Sequence, residues 1–151
     1  MAGRRSGRGP RRGDLRPQPL RFADTSFWFA LQERRDPRHE DATALARAQR
    51  GTVILSNHVL GETWTLLRRR SNHAAAVGFL DRLEQLPNVA VVHVDEETEA
   101  EAFEWLRTRD EWEYSFVDAT SFAVMRRRGI SEALAFDGDF AAAGFIELRP
   151  V

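Results

Sequence analysis

The segment Leu20-Arg21-Phe22-Ala23-Asp24-Thr25-Ser26-Phe27-Trp28-Phe29 decides how the chain is read. A short apolar run ends on an acid, and a helical pattern follows at once. Further apolar runs stand at Thr52-Val53-Ile54-Leu55, Val89-Ala90-Val91-Val92, Ala133-Leu134-Ala135-Phe136 and Phe145-Ile146-Glu147-Leu148. Between them, apolar positions spaced three and four apart predict helices over Ser26–Arg35, Glu40–Gln49, Val59–Arg70, Ala74–Gln85, Glu96–Arg107 and Phe116–Arg128. The stretch Gly138–Gly144 has room for about one or two helical turns. Strands that alternate with helices argue for an α/β fold with a parallel sheet of five strands, covered on both faces.

Composition narrows the chemistry. The chain has 151 residues, 42% of them hydrophobic, which suits one domain with one good core. It contains no cysteine, so disulfides, thiolate zinc sites and thiol nucleophiles are excluded. All 22 basic residues are arginine. The lack of lysine removes Walker-type phosphate loops and Schiff-base mechanisms. No uninterrupted apolar stretch reaches a membrane-spanning length, and no secretory signal follows the arginine-rich start, so a cytoplasmic location is expected. Residues 1–19 are rich in Arg, Gly and Pro and are read as a disordered arm, either a leader of no function or an RNA-binding extension. Folding is expected from Leu20, with one domain over residues 20–151. Beyond residue 21 the body is acidic.

Four acids occupy telling positions. Asp24 follows the first strand and Asp137 the fourth, at the carboxyl edge where open α/β sheets gather their ligands. Each also has a plainer role: Asp24 as a helix cap before Thr25 and Ser26, Asp137-Gly138 as a turn. Glu62 has Val59 three residues before it and Leu66 four after, which puts a charge on an apolar helix face, unless it escapes to water or pairs with an arginine. Asp118 lies on the core-facing side of its helix, with Ser121, Phe122 and Met125 following at helical spacing. Ser115 and Asp118 also match a capping box. Carboxylates that converge on one sheet edge repel each other and need a cation, and with no lysine in the chain a hard divalent ion such as Mg²⁺ or Mn²⁺ is the natural partner.

Taken together, Phe22-Ala23-Asp24-Thr25-Ser26, Asn57-His58-Val59-Leu60-Gly61-Glu62, Ser115-Phe116-Val117-Asp118-Ala119 and Ala135-Phe136-Asp137-Gly138-Asp139-Phe140 resemble the signature of PIN-domain ribonucleases, and in particular of VapC-like toxins. The resemblance covers residues 20–151. It implies a parallel sheet in the order 3-2-1-4-5, with the switch point between the first and fourth strands. It also implies metal-dependent endoribonuclease activity, with Asp24, Glu62, Asp118 and Asp137 as the catalytic and metal-binding acids and Thr25 and Ser115 as polar residues behind them. Asp139 stands two residues past Asp137 and shares or takes the fourth place. The same resemblance implies an RNA substrate, a homodimer and a small cognate antitoxin of a type II toxin–antitoxin pair. Two other readings of the site are a non-catalytic RNA- or protein-binding module on the same fold, and a metal-dependent phosphatase on a related sheet.

Three further features have simpler readings. The triplets Arg68-Arg69-Arg70 and Arg126-Arg127-Arg128 end two helices and are read as complementing their C-terminal dipoles, in preference to forming a phosphate-binding rim. Of Phe27-Trp28-Phe29, one ring is expected at the boundary, with Trp28 the candidate. The acidic run Asp95–Glu101 is read as a solvated helix start. None of His39, His58, His73 and His93 shows metal-ligand pairing.

Overall fold

The structure is a computed structural model that describes residues 18–151. Most of the expected arm, residues 1–17, lies outside the described residues, and Gln18 and Pro19 are exposed. The order of elements is β1 (Leu20–Ala23), α1 (Thr25–Gln32), α2 (His39–Ala48), β2 (Thr52–Ser56), α3 (Asn57–Arg70), α4 (His73–Gln85), β3 (Val89–Val92), α5 (Glu96–Arg107), α6 (Phe116–Arg128), β4 (Glu132–Leu134), α7 (Asp139–Ala142) and β5 (Ile146–Glu147). Every strand pair is parallel, and the order across the sheet is β3-β2-β1-β4-β5.

The central strands read as apolar runs because helices cover both faces. Phe22 and Ala23 of β1 and Val53, Ile54 and Leu55 of β2 are buried, whereas Ala90 and Val91 on the edge strand β3 are exposed. One aromatic cluster ties the sheet to the elements that carry the acids. Phe22 of β1 packs on Phe140 of α7 at 6.1 Å between ring centroids, and Phe140 packs edge-on against Phe122 of α6 at 4.9 Å. Phe122 lies one helical turn beyond Asp118, and Phe140 directly follows Asp139. All three rings are fully buried, so shifting either acid means disturbing the core.

Two expectations about element ends change. Helix α1 stops at Gln32 instead of Arg35, because the chain turns extended at Glu33 and prepares for Asp36-Pro37, where helix is disfavoured. Strand β4 stops at Leu134 instead of Phe136 because the Phe136 amide donates to the Ser26 hydroxyl, not to a strand neighbour. A third concerns the aromatic triplet. Trp28 is buried, at 2% exposure, against Phe27 and Phe79. Phe29 is the ring left half-buried. No helix among the described residues is long and apolar enough to cross a membrane.

Candidate active site

Asp24 and Asp137 meet because their strands are neighbours. Ala23 of β1 pairs with Leu134 of β4, and the Asp24 amide donates to the Leu134 carbonyl at 2.9 Å, which joins the two carboxyl ends. Asp24 does cap α1, its Oδ2 accepting from the Ser26 amide at 3.2 Å and the Ser26 hydroxyl at 2.9 Å. The same hydroxyl accepts from the Phe136 amide at 3.0 Å. Ser26 thus links the acid after β1 to the residue just before Asp137.

Asp118 is held by the capping box that the sequence spells. Its Oδ2 accepts from the Ser115 amide, and its own amide donates to the Ser115 hydroxyl, each at 3.0 Å. Asp24 and Asp118 are both buried. Asp137 and Asp139 flank Gly138, whose φ of +85° is open to glycine without strain. The turn folds Asp139 back so that its amide donates to Asp137 Oδ1 at 3.3 Å. Trp112, on the loop between α5 and α6, donates its indole N–H to Asp139 Oδ1 at 2.8 Å.

As a result, Asp118, Asp137 and Asp139 each offer a carboxylate oxygen within 4.8 Å of the others. An open cavity of about 560 Å³ holds this triad, with Asp24 on its floor and Thr25 and Ser115 also on its wall. Glu62 lines the same cavity, half-buried beside Leu66, and stands outside the tight triad. All seven singled-out residues therefore face one space. Asp137 and Asp139, between which the sequence left the fourth place open, both join the triad.

The electrostatics follow from that crowding. Burial first, then the charges of Asp137 and Asp118, push Asp24 well above the usual carboxylate range. Asp118 rises to about 7, chiefly through burial, against the Ser115 hydrogen bond that favours its charge, with Asp139 and Asp137 adding repulsion. Asp137 rises to about 6 through desolvation and the Asp139 charge. A divalent cation would reverse each of these effects. The donor set suits it: hard oxygens, three of them within mutual reach, and the buried Thr25 Oγ1, which has no hydrogen-bond partner among the described residues.

Several lining residues escaped the sequence reading. Asp36, Arg38 and Phe136 come from loops, and Arg70 and Glu113 complete the rim. The first arginine triplet fills the last turn of α3, as the dipole reading expects, and Arg70 also lines the cavity. In the second triplet, Arg127 pairs with Glu97 and Glu101 of α5, and Arg126 lies over Trp105 at 5.8 Å. The acidic run is the solvated helix start expected of it: Asp95 caps α5 by accepting from the Thr98 amide. Nothing in the sequence marks Trp112 as an Asp139 partner, because 27 residues separate the two.

The fold and this carboxylate pocket define a PIN domain, and the sequence profile of that family matches residues 21–146. Among curated proteins, the 23S rRNA-specific endonuclease VapC20 of Mycobacterium tuberculosis is 58% identical over 130 residues, covering 85% of this chain and 98% of the relative. A VapC ribonuclease of Archaeoglobus fulgidus is 27% identical over 123 residues, 78% of this chain and 77% of the relative. The crystal structure of M. tuberculosis VapC20, described as a sarcin–ricin loop cleaving toxin, superposes with a TM-score of 0.82 at 55% identity, over 86% of this chain and 99% of that one. FitAcB from Neisseria gonorrhoeae shares the fold, with a TM-score of 0.59 at 21% identity, over 86% of this chain and 97% of that one. The chain belongs to the PIN-domain family, in its VapC-like branch.

Proposed function

We propose that this protein is a divalent-metal-dependent endoribonuclease, the toxin of a type II toxin–antitoxin pair, and that its substrate is the sarcin–ricin loop of 23S rRNA. The observation that carries the reading is the triad of Asp118, Asp137 and Asp139, whose oxygens lie within 4.8 Å of one another at the carboxyl edge of the sheet. Asp24 adds a fourth carboxylate at the floor, and Glu62 a fifth at the wall. The identity to VapC20 supports the choice of substrate.

In this reading Asp24, Asp118, Asp137 and Asp139 hold Mg²⁺ or Mn²⁺, and Glu62 faces the substrate side. A bound cation supplies the charge to receive a phosphodiester, to activate a water and to stabilise the leaving oxygen. The protein's part is to fix the carboxylates. The amides of Ser26 and Ser115 and the indole of Trp112 orient them, and Ser115 and Ser26 lock two of them to helix starts. Thr25 lines the same space, and its buried hydroxyl has no hydrogen-bond partner among the described residues. A cognate antitoxin covering the cleft and a homodimer are part of the proposal, and co-purification with a short neighbouring reading frame's product and light scattering test them.

The direct test incubates purified protein with intact ribosomes and with deproteinised rRNA in Mg²⁺ or Mn²⁺, and maps cut sites by primer extension. A single cut in the sarcin–ricin loop, abolished by EDTA, is expected. Cleavage elsewhere only would overturn the substrate, and metal-independent or absent cleavage would overturn the activity.

A further inference from the structure

Among the described residues, the cavity that holds the acids is lined by seven carboxylates and two guanidinium groups, those of Arg38 and Arg70. Along this described lining, a polyanion meets attraction at a bound cation and at these two side chains, and repulsion from the carboxylates. We propose that Arg38 and Arg70 form a phosphate-binding subsite that grips the RNA backbone on either side of the scissile bond. This inference rests on the nuclease reading above and adds to it the residues that receive the substrate.

Both arginines are prepared for the task in the same way. The Arg70 guanidinium lies over the Phe29 ring at 6.0 Å, and that of Arg38 over the Phe136 ring at 5.7 Å. Phe29 and Phe136 are themselves half-buried lining residues of this cavity. A guanidinium stacked on an aromatic face keeps its N–H edges free to donate in its own plane, the fork that matches phosphate oxygens. Stacking also removes rotamer freedom before the substrate arrives, which lowers the entropy cost of the grip.

Their partners point the same way. Arg70 makes no side-chain hydrogen bond or ion pair among the described residues, although Glu62 stands two helical turns before it on the same cavity wall. Arg38 meets Asp41 in an ion pair of 3.3 Å whose two side chains are 48% and 40% exposed. Such a surface pair is worth little and is readily exchanged for a phosphate. Arg149 holds the other end of the arrangement, lying over the same Phe136 ring at 5.3 Å while donating to the Ala135 carbonyl. Phe136 is thereby fixed as a platform beside Asp137. Neither Arg126 nor Arg128 lines this space.

The test compares the parent protein with Arg38→Ala and Arg70→Ala, and with Arg128→Ala as a charge-matched control outside the cavity. Binding is read by fluorescence anisotropy of a labelled single-stranded oligoribonucleotide in Ca²⁺, over a range of salt. Cleavage is read in Mn²⁺. Each cavity variant should weaken binding about tenfold, the loss of one charge-assisted hydrogen bond. The slope of log affinity against log salt should become shallower by roughly 0.7 for each arginine removed. KM should rise with kcat close to that of the parent, while Mn²⁺ affinity and Tm stay unchanged. Arg128→Ala should match the parent throughout. Affinity and salt slope unchanged in both cavity variants would overturn the subsite, and so would equal losses in Arg128→Ala. Absence of cleavage by the parent would instead overturn the nuclease reading and leave the binding result to stand on its own.

Discussion

The two walls of the acidic cleft are built by different means. Asp24 and Asp118 are buried, and backbone amides at the starts of α1 and α6 compensate part of their charge. Asp137 and Asp139 sit on a glycine turn nearer solvent, held by each other and by the Trp112 indole. Each carboxylate of the buried wall is thus oriented by a partner within three residues of it. The outer wall exists only when a distant loop and a left-handed turn come together.

Substitutions separate the two walls by how activity and stability divide. The largest effect is expected for Asp118→Asn, which keeps an oxygen to accept from the Ser115 amide and loses the charge. It should lower kcat by about 10³-fold, the scale of a group that organises charge in a transition state, with Tm near that of the parent. Retained cleavage with normal folding would remove Asp118 from the site. Next comes Trp112→Phe, which leaves the ring and deletes the hydrogen bond to Asp139. Metal affinity should fall about tenfold, as for other residues that orient a ligand, read by Mn²⁺ titration. An unchanged affinity would make the indole contact incidental.

The third expectation concerns pH. The folded carboxyls of Asp24, Asp118 and Asp137 sit above their ordinary values, so the folded state binds more protons than the unfolded one. The contribution of these carboxyls to the stability of the metal-free protein is then full at low pH and is lost as pH rises through about 6 to 7. In EDTA, Tm should be higher near pH 5.5 than near pH 8, and Mn²⁺ should restore it at the higher pH. A Tm that rises with pH in EDTA would show that burial and mutual repulsion do not hold these carboxyls above their ordinary range. The smallest effect is expected for Ser115→Ala, which removes one half of the capping box and should cost about 1 kcal/mol in a denaturant titration. No loss would mean that the Ser115 hydroxyl does not contribute to holding the start of α6.

How much of this was legible in the sequence follows the same division. The apolar runs that become β1 and β3, the helices α5 and α6, and the Ser115–Asp118 box were readable because their causes are local. The sheet order came from resemblance, since pairing between β1 and β4 joins residues more than 100 positions apart. The two arginine triplets show the limit well. They have the same letters and the same place at a helix end, but α5 presents glutamates to one while Phe29 and the cleft face the other. Neighbours across space set their roles, and spacing along the chain does not encode them. Trp28 was misjudged for a related reason, because α4 supplies Phe79 to cover it.

The bridge from Asp24 through Ser26 to Phe136 has a consequence in time. Its two ends are made early and late in synthesis, with Asp24 just after the first strand and Phe136 just after the fourth. A chain emerging amino end first has no Asp137 or Asp139 to close the pocket until most of its length is made. A half-made chain therefore lacks two of the carboxylates that close the pocket, and on the proposed function it has no complete site with which to cut the ribosome that is making it.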